Sequence, residues 1–377
     1  MRVCLVGHSA AGLLSSSAGG SEGQIAVLAR ELAAREHEVT LVAIGLDEGE
    51  RMVAGVQVRS GWEPLRGVRY VRAFTYRYPG LYRALRAERA DVYYARGAGL
   101  YTPFVVLAAR VGRARSVLAL ASDRDLYASS ARVLFSLSDS SLSPFVAPLA
   151  HFVYRRWALR AVTWVTVQNQ EQATACAALG LHHAVLPNIV QPPPAELAHA
   201  APDRDVIWAG NVFDGRRSKG LEALARLAQM LPETTFTVAG TLEAPSCHDV
   251  IGLLQLLPNV AVTGQLPHDE MQRRIAAHRL VINTSPSEGF SNVMLEGWSL
   301  GRPCVTLSVN PSGSLTDDRL GICGDGDLVT MGAAITALLA EDRARAAMGA
   351  RGRKYVRDTH TPDRVCAAFE QLVRSQA

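Results

Sequence analysis

The sequence predicts an α/β protein built from two doubly wound parallel-sheet domains, and three observations predict it. Short apolar runs that suit strands buried on both faces alternate with stretches of helical periodicity along the chain. At 377 residues the chain is longer than one ordinary core organises. A proline-rich stretch, Gln191-Pro192-Pro193-Pro194, then divides the pattern near its middle. The expected boundaries are an N-terminal domain over 1–190, a linker over 191–204, a second domain over 205–358 and a terminal helix over 359–377.

The opening run, Met1 to Gly7, reads as a buried strand and not as a secretion signal. It leads through a Ser/Gly/Ala stretch to Gly19-Gly20-Ser21-Glu22. A helical pattern from Gln24 to near His37 and a strand at Val39-Thr40-Leu41-Val42 complete a βαβ unit. The glycines permit close approach of a ligand to the helix N-terminus, although no Gly-x-Gly-x-x-Gly fingerprint is present. Short strands are expected at 56–58 and 68–71, with stronger ones at 91–95, 116–120 and 162–167 and a helix over 104–111. The strand at 116–120 ends in Ala121-Ser122-Asp123-Arg124-Asp125. An Asp-x-Asp there fits either turn chemistry or a metal-dependent site. The Ser/Leu/Asp-rich stretch over 126–143 reads as an acceptor loop, and 144–161 as a Trp/Tyr/Arg-bearing helix.

The second half opens with the strand Val206 to Gly210, followed by Asn211 and the basic run Arg216-Arg217-Ser218-Lys219-Gly220 before a helix over 221–230. Cations between a strand end and a helix start can neutralise a diphosphate. Strands ending at Gly240 and Gly264 come next, and a helix over 268–277 leads into an apolar strand at 280–284. The stretch that follows, from Ser285 to Pro303, organises the whole chain. It delivers Glu288 to a strand end and Glu296 about two helical turns further on. Between them the backbone amides of Phe290, Ser291 and Asn292 lie at a helix start, where a phosphate is well held. Carboxylates suit sugar hydroxyls and helix N-termini suit phosphates, so a ligand carrying both is a nucleotide sugar.

A hydrophobic fraction of 48% with 20% charged residues excludes wholesale disorder, and no uncharged run is long enough to span a bilayer. The six cysteines are scattered without Cys-x-x-Cys spacing, which fits reduced cytoplasmic thiols better than disulfides or zinc. The net charge of +4 implies no nucleic-acid partner. Arg83, Arg86 and Arg89 recur at helical spacing, and Arg155, Arg156 and Arg160 flank an aromatic segment. Such faces are either solvated or rest peripherally on anionic lipid.

The run Glu288-Gly289-Phe290-Ser291-Asn292-Val293-Met294-Leu295-Glu296, with Gly301-Arg302-Pro303 after it, resembles the Glu-x7-Glu signature of retaining glycosyltransferases of GT-B architecture. It is most similar to glycosyltransferase family 4, the glycosyl transferases group 1. The resemblance implies two Rossmann-like domains facing a central cleft. It also implies transfer of a sugar from a nucleoside diphosphate sugar, UDP- first and GDP- second, to the hydroxyl of a glycan, lipid-linked or small-molecule acceptor. Configuration would be retained, with neither metal nor cofactor.

By the same resemblance Glu288 contacts the transferred sugar and Glu296 the ribose hydroxyls. Gly19, Gly20, Arg217, Lys219, Gly289, Phe290, Ser291, Asn292 and Val293 lie on the donor side, and Gly264 borders the nucleobase. Pro187-Asn188 resembles the segment closing the first domain. Two positions depart from the family pattern. Asn211 stands where an arginine is usual, and Ser122-Asp123 where a histidine faces the donor sugar, which makes Asp123 a candidate catalytic residue. A nucleotide-sugar 2-epimerase, a non-catalytic transferase-like scaffold and a sugar-phosphate synthase are the alternatives.

Overall fold

A computed structural model of the chain describes residues 1–7, 9–14, 20–44, 50–63, 66–68, 73–97, 99, 101–126, 153, 157–213 and 219–375. The chain forms two compact units, one of residues 1–189 with 362–377 and the other of residues 190–361.

The first unit is built on eight strands: β1 (Arg2–Gly7), β2 (Glu38–Ala43), β3 (Arg51–Val53), β4 (Val56–Ser60), β5 (Val92–Arg96), β6 (Arg115–Ala119), β7 (Trp164–Val167) and β8 (His183–Val185). Their order is β3-β4-β2-β1-β5-β6-β7-β8, parallel throughout except for the β3–β4 hairpin. Side chains alternate between two covered faces, as a parallel sheet requires. Val3 and Leu5 of β1 pack with the helix Gly20–Ala34 and the terminal helix Pro362–Arg374. Cys4 and Val6 pack on the opposite side with the helices Tyr78–Glu88 and Thr102–Gly112. The terminal helix buries Val365, Cys366, Phe369 and Val373, and the Phe369 ring meets Tyr94 edge-to-face at 6.0 Å.

The second unit holds β9 (Arg204–Ala209), β10 (Val212–Phe213), β11 (Phe236–Ala239), β12 (Leu242–Glu243), β13 (Val260–Gly264), β14 (His278–Asn283), β15 (Cys304–Thr306) and β16 (Gly321–Cys323). Six of them form an all-parallel sheet ordered β13-β11-β9-β14-β15-β16, while β10 and β12 pair separately. Val206 and Trp208 point into one core with Leu221, Leu224 and Met331, and Ile207 into the other with Met294 and Trp298. In the first unit β1 sits between β2 and β5, and in the second β9 sits between β11 and β14. Strand order therefore reverses beside β1 and beside β9, the switch points where doubly wound folds hold ligands.

Three expectations change. The proline-rich run is not a free linker, because residues 190–203 fold onto the second unit. Its helix Ala195–Ala198 contacts the helix His268–Ala277, and buried Arg302 donates to the carbonyls of Ala200 and Ala276 at 2.6 Å each. Val68 lies outside any strand, and residues 69–71 of the strand expected there are outside the described residues. The first long helix begins at Gly20 itself, four residues ahead of its apolar periodicity. Of the expected acceptor loop only Leu126 is described. The helix expected over 144–161 likewise falls mostly outside the described residues, apart from a short turn at Leu159–Ala161.

Candidate functional site

At the switch point of the second unit, contacts across strand ends fix the side chains that matter. The indole of Trp208, near the end of β9, donates from Nε1 to Thr284 Oγ1 at 3.0 Å, just past β14. That hydroxyl in turn donates to the carbonyl of Lys219 at 3.1 Å. Gly220 then turns the chain into the helix Leu221–Met230 with φ of 74°, and a Cβ there would lie 1.9 Å from the Thr284 carbonyl oxygen. Only glycine fits that approach. Lys219 itself takes a left-handed φ of 51°, uncommon for a residue with a side chain.

The ammonium so placed reaches Glu288. Lys219 Nζ and Glu288 Oε1 are 3.0 Å apart, with the lysine side chain 39% exposed and the glutamate 15%. Ser285 Oγ donates to the same carboxylate oxygen at 2.7 Å, and the Ser285 amide is held by Asn283 Oδ1 at 2.7 Å. Glu288 is thus anchored from its own loop while its cationic partner comes from the far side of β9.

The helix Asn292–Ser299 starts immediately beyond. Its N-cap, Ser291, is extended and makes no side-chain cap bond. Met294, Leu295 and Trp298 bury one face, and Gly297 lets the helix approach β14, since a Cβ there would meet Val281 Cγ2 at 2.7 Å. Val293 is half-buried against the same core. The Phe290 ring packs edge-to-face on Trp298 at 6.0 Å and on His360 at 5.4 Å. Its contribution to ligand binding therefore has to come from the backbone.

Glu296 stands one turn further in, a fifth exposed, with Oε1 at 3.9 Å from Nδ1 of His268. Burial raises its carboxyl above the usual range, and the neighbouring imidazole pulls it partly back. Gly264, at the end of β13, has φ of 73° and open space where a Cβ would stand.

Asn211 has a different task from that of an anion-binding arginine. Its Oδ1 accepts from the Thr241 amide at 2.9 Å beside Gly240, where a Cβ would meet the Gly210 carbonyl oxygen at 2.1 Å. The Gly-Arg-Pro segment is likewise structural. Gly301 has φ of 72° and packs under Gly349, and Arg302 clamps the residues before β9. Gly19, Arg216 and Arg217 lie outside the described residues, and Gly20 is an exposed first residue of its helix.

In the first unit the two aspartates of the Asp-x-Asp separate. Asp125 is 4% exposed, and its Oδ2 accepts from the amides of Ala121 and Ser122 at 2.6 and 3.0 Å, which is turn chemistry. Asp123 Oδ1 accepts from Gln172 Nε2 at 2.9 Å. Among the described residues no three His, Cys, Asp or Glu side chains gather as metal ligands would. Sequence reasoning overlooked Trp208, Thr284, Ser285 and His268. Trp208 and Thr284 act across strand ends, a relation invisible until register is known, whereas Ser285 lies three residues before Glu288 in the same loop and His268 could have been sought in the helix after Gly264.

Comparison with known proteins follows the same division. A family model described as "Glycosyl transferases group 1" matches residues 203–341, and one described as "Glycosyl transferase 4-like domain" matches residues 19–189. The lipopolysaccharide core biosynthesis glycosyltransferase LpsE of Rhizobium meliloti is 26% identical over 164 residues, 42% of this chain and 47% of that protein. The chain therefore matches about half the length of this curated relative. Among solved structures, sucrose-phosphate synthase of Thermosynechococcus elongatus aligns with TM-score 0.75 at 16% identity, over 99% of this chain and 98% of that one. HepE of Anabaena, crystallised with UDP, aligns with TM-score 0.65 at 16% identity, over 99% and 100%. These likenesses carry the fold, and with the two family matches they establish that the chain belongs to the glycosyl transferases group 1, of GT-B architecture.

Proposed function

We propose that this protein transfers a sugar from a nucleoside diphosphate sugar to an acceptor hydroxyl with retention of anomeric configuration. UDP is the first choice of nucleotide and GDP the second. The observation that carries the reading is the Lys219–Glu288 pair at the switch point, next to a helix start with no side-chain cap. Lys219 and the amides around Ser291 and Asn292 stabilise negative charge as it grows on the leaving diphosphate. Glu288, held by Ser285, faces the transferred sugar and steadies positive charge at its anomeric carbon. Glu296 accepts hydrogen bonds from the ribose hydroxyls. A cation and helix amides together do the charge stabilisation for which other transferases use a divalent ion, so turnover is expected without one.

LpsE, a lipopolysaccharide core biosynthesis glycosyltransferase, and HepE, solved with UDP, support the donor class. A glycan, glycolipid or small glycoside is the acceptor, recognised by the first unit, where Asp123 is the candidate catalytic group. The helices Tyr78–Glu88 and Thr102–Gly112 expose Arg83, Arg110 and Arg113 beside Leu107 and Val111, a face suited to peripheral contact with anionic lipid on the cytoplasmic side.

The commitment of Asn211 to Thr241 favours one competing reading, a non-catalytic scaffold, because it withdraws a position from donor contact. Incubation with a panel of UDP- and GDP-sugars decides, scored for free nucleoside diphosphate and for product mass with and without acceptor. Acceptor-dependent release supports transfer. Conversion of donor alone indicates an epimerase, and neither binding nor turnover with any donor indicates a scaffold.

A further inference from the structure

The Glu296 side chain is 20% exposed, and among the described residues no N–H or O–H group bonds its carboxylate. Its contact is with His268, whose Nδ1 lies 3.9 Å from Oε1, beyond hydrogen-bonding range. A carboxylate withdrawn this far from water gains from a donor that reaches it, and burial already raises its hold on a proton. The oxygens keep an opening to solvent through which such a donor can arrive.

His268 is anchored at its backbone and open at its ring. It is the first residue of the helix His268–Ala277, entered from an extended Pro267. Ile275 and Ala276 of that helix pack in one core with Met294 and Leu295 from the helix that carries Glu296. The side chain is nonetheless 55% exposed. The acidic residues that follow it are engaged elsewhere. Asp269 binds Arg273 at 2.7 Å, and Glu270 binds Arg273 and Arg274 at 2.9 Å each.

The 3.9 Å separation suits a shared third group, because one oxygen atom beside it can lie about 2.8 Å from both Nδ1 and Oε1. A carboxylate only accepts hydrogen bonds, whereas an imidazole Nδ1–H donates. The group between them must therefore accept from one side and donate to the other. A carbonyl cannot donate and an ammonium cannot accept, but an alcohol does both. Water meets the same chemistry, and the test below separates the two.

We propose that His268 is a specificity-determining residue for the nucleotide, its Nδ1–H and the Glu296 carboxylate together clamping one ribose hydroxyl. The inference rests on the transferase reading, in which Glu296 accepts from the ribose. It adds to that reading a second group, supplied from a different helix, which accepts ribonucleotides and penalises their deoxy forms.

The test is a calorimetric titration of the full chain with UDP and GDP, and then with the 2′-deoxy and 3′-deoxy forms of whichever nucleotide binds. In the wild type, loss of the clamped hydroxyl should weaken binding at least about tenfold. In His268→Ala the ribonucleotide should bind more weakly, and the penalty for losing that hydroxyl should be at least about threefold smaller. His268→Asn sets an uncharged amide N–H close to where Nδ1 stands, and should restore most of the penalty. An equal penalty in wild type and in His268→Ala overturns the proposal and leaves water, not ribose, between the two side chains. An Asn variant that behaves like the Ala variant also overturns it, because the imidazole then acts by charge and not by its N–H. Weaker nucleotide binding in Lys219→Ala with none of these effects at His268 leaves the transferase reading standing and removes this inference alone. Binding of neither nucleotide to the wild type removes both.

Discussion

The two switch points share a topology and differ in how their polar groups are committed. Beside β9 the charged groups remain partly open to solvent, with Lys219 39% and Glu288 15% exposed across a contact of 3.0 Å. Beside β5 the polar groups are locked into a buried chain. It runs from Arg96 through Asn188 and Gln168 to Gln172, which accepts the Gln168 amide at 2.9 Å and donates to Asp123. The same strand order thus supports an adaptable ion pair in one unit and a rigid amide relay in the other. Function lies in what the strand ends carry, and the order of strands does not fix it.

That contrast can be broken experimentally. Gly220→Ala tests how much the open site depends on its close approach. A Cβ at 1.9 Å from the Thr284 oxygen, at left-handed φ, should cost about 3 kcal/mol or more in denaturant unfolding. A loss below about 1 kcal/mol would show that the approach is not required. Glu288→Gln keeps the Ser285 hydrogen bond but removes charge, and should lower kcat about a hundredfold, roughly 2.7 kcal/mol, with a smaller effect on donor KM. Unchanged turnover would remove Glu288 from the chemistry.

In the buried relay, Gln172→Ala strips partners from both Asp123 and the Gln168 amide. It should cost roughly 2 kcal/mol of stability and leave donor KM in place. A large rise in donor KM would erase the distinction between the two switch points.

Glu296 gives the smallest and most diagnostic effect. Its carboxyl is raised in the folded chain, so the folded state holds its proton to higher pH than the unfolded chain does. Its contribution therefore favours folding at low pH and is lost as pH climbs through the raised value. Glu296→Gln should leave stability at neutral pH equal or slightly higher, while donor KM rises about tenfold, near 1.4 kcal/mol. In the wild type, donor affinity should fall as pH drops through the same range, because the ribose hydroxyls need the ionised form. A flat pH profile of donor KM would contradict the role.

Much of the fold is legible in the sequence, because parallel strands buried on both faces leave apolar runs such as Leu280–Ile282 and Val305 with its neighbours. The three-residue strands β8 and β16, His183–Val185 and Gly321–Cys323, are too short and too mixed in composition to stand out. The proline-rich run misleads because composition says nothing of Arg302, about a hundred residues later, which binds it to the second unit. At the site, local motifs point to Lys219 and Glu288. Their contact across 69 residues of sequence, and the roles of Trp208 and Thr284 in arranging it, follow only from the order β11-β9-β14. The Phe290 ring is the instructive case. The ring of this motif residue is spent on packing against Trp298 and His360.

On the proposed function, the β9–β14 wall of the second unit binds the nucleoside diphosphate portion of the donor. Calorimetric titration of UDP and GDP into wild type and Lys219→Ala tests it most directly. Saturable binding of one of the two nucleotides is expected, weakened at least about tenfold by the substitution. Equal affinity in both proteins, or no binding of either nucleotide to the wild type, would contradict it.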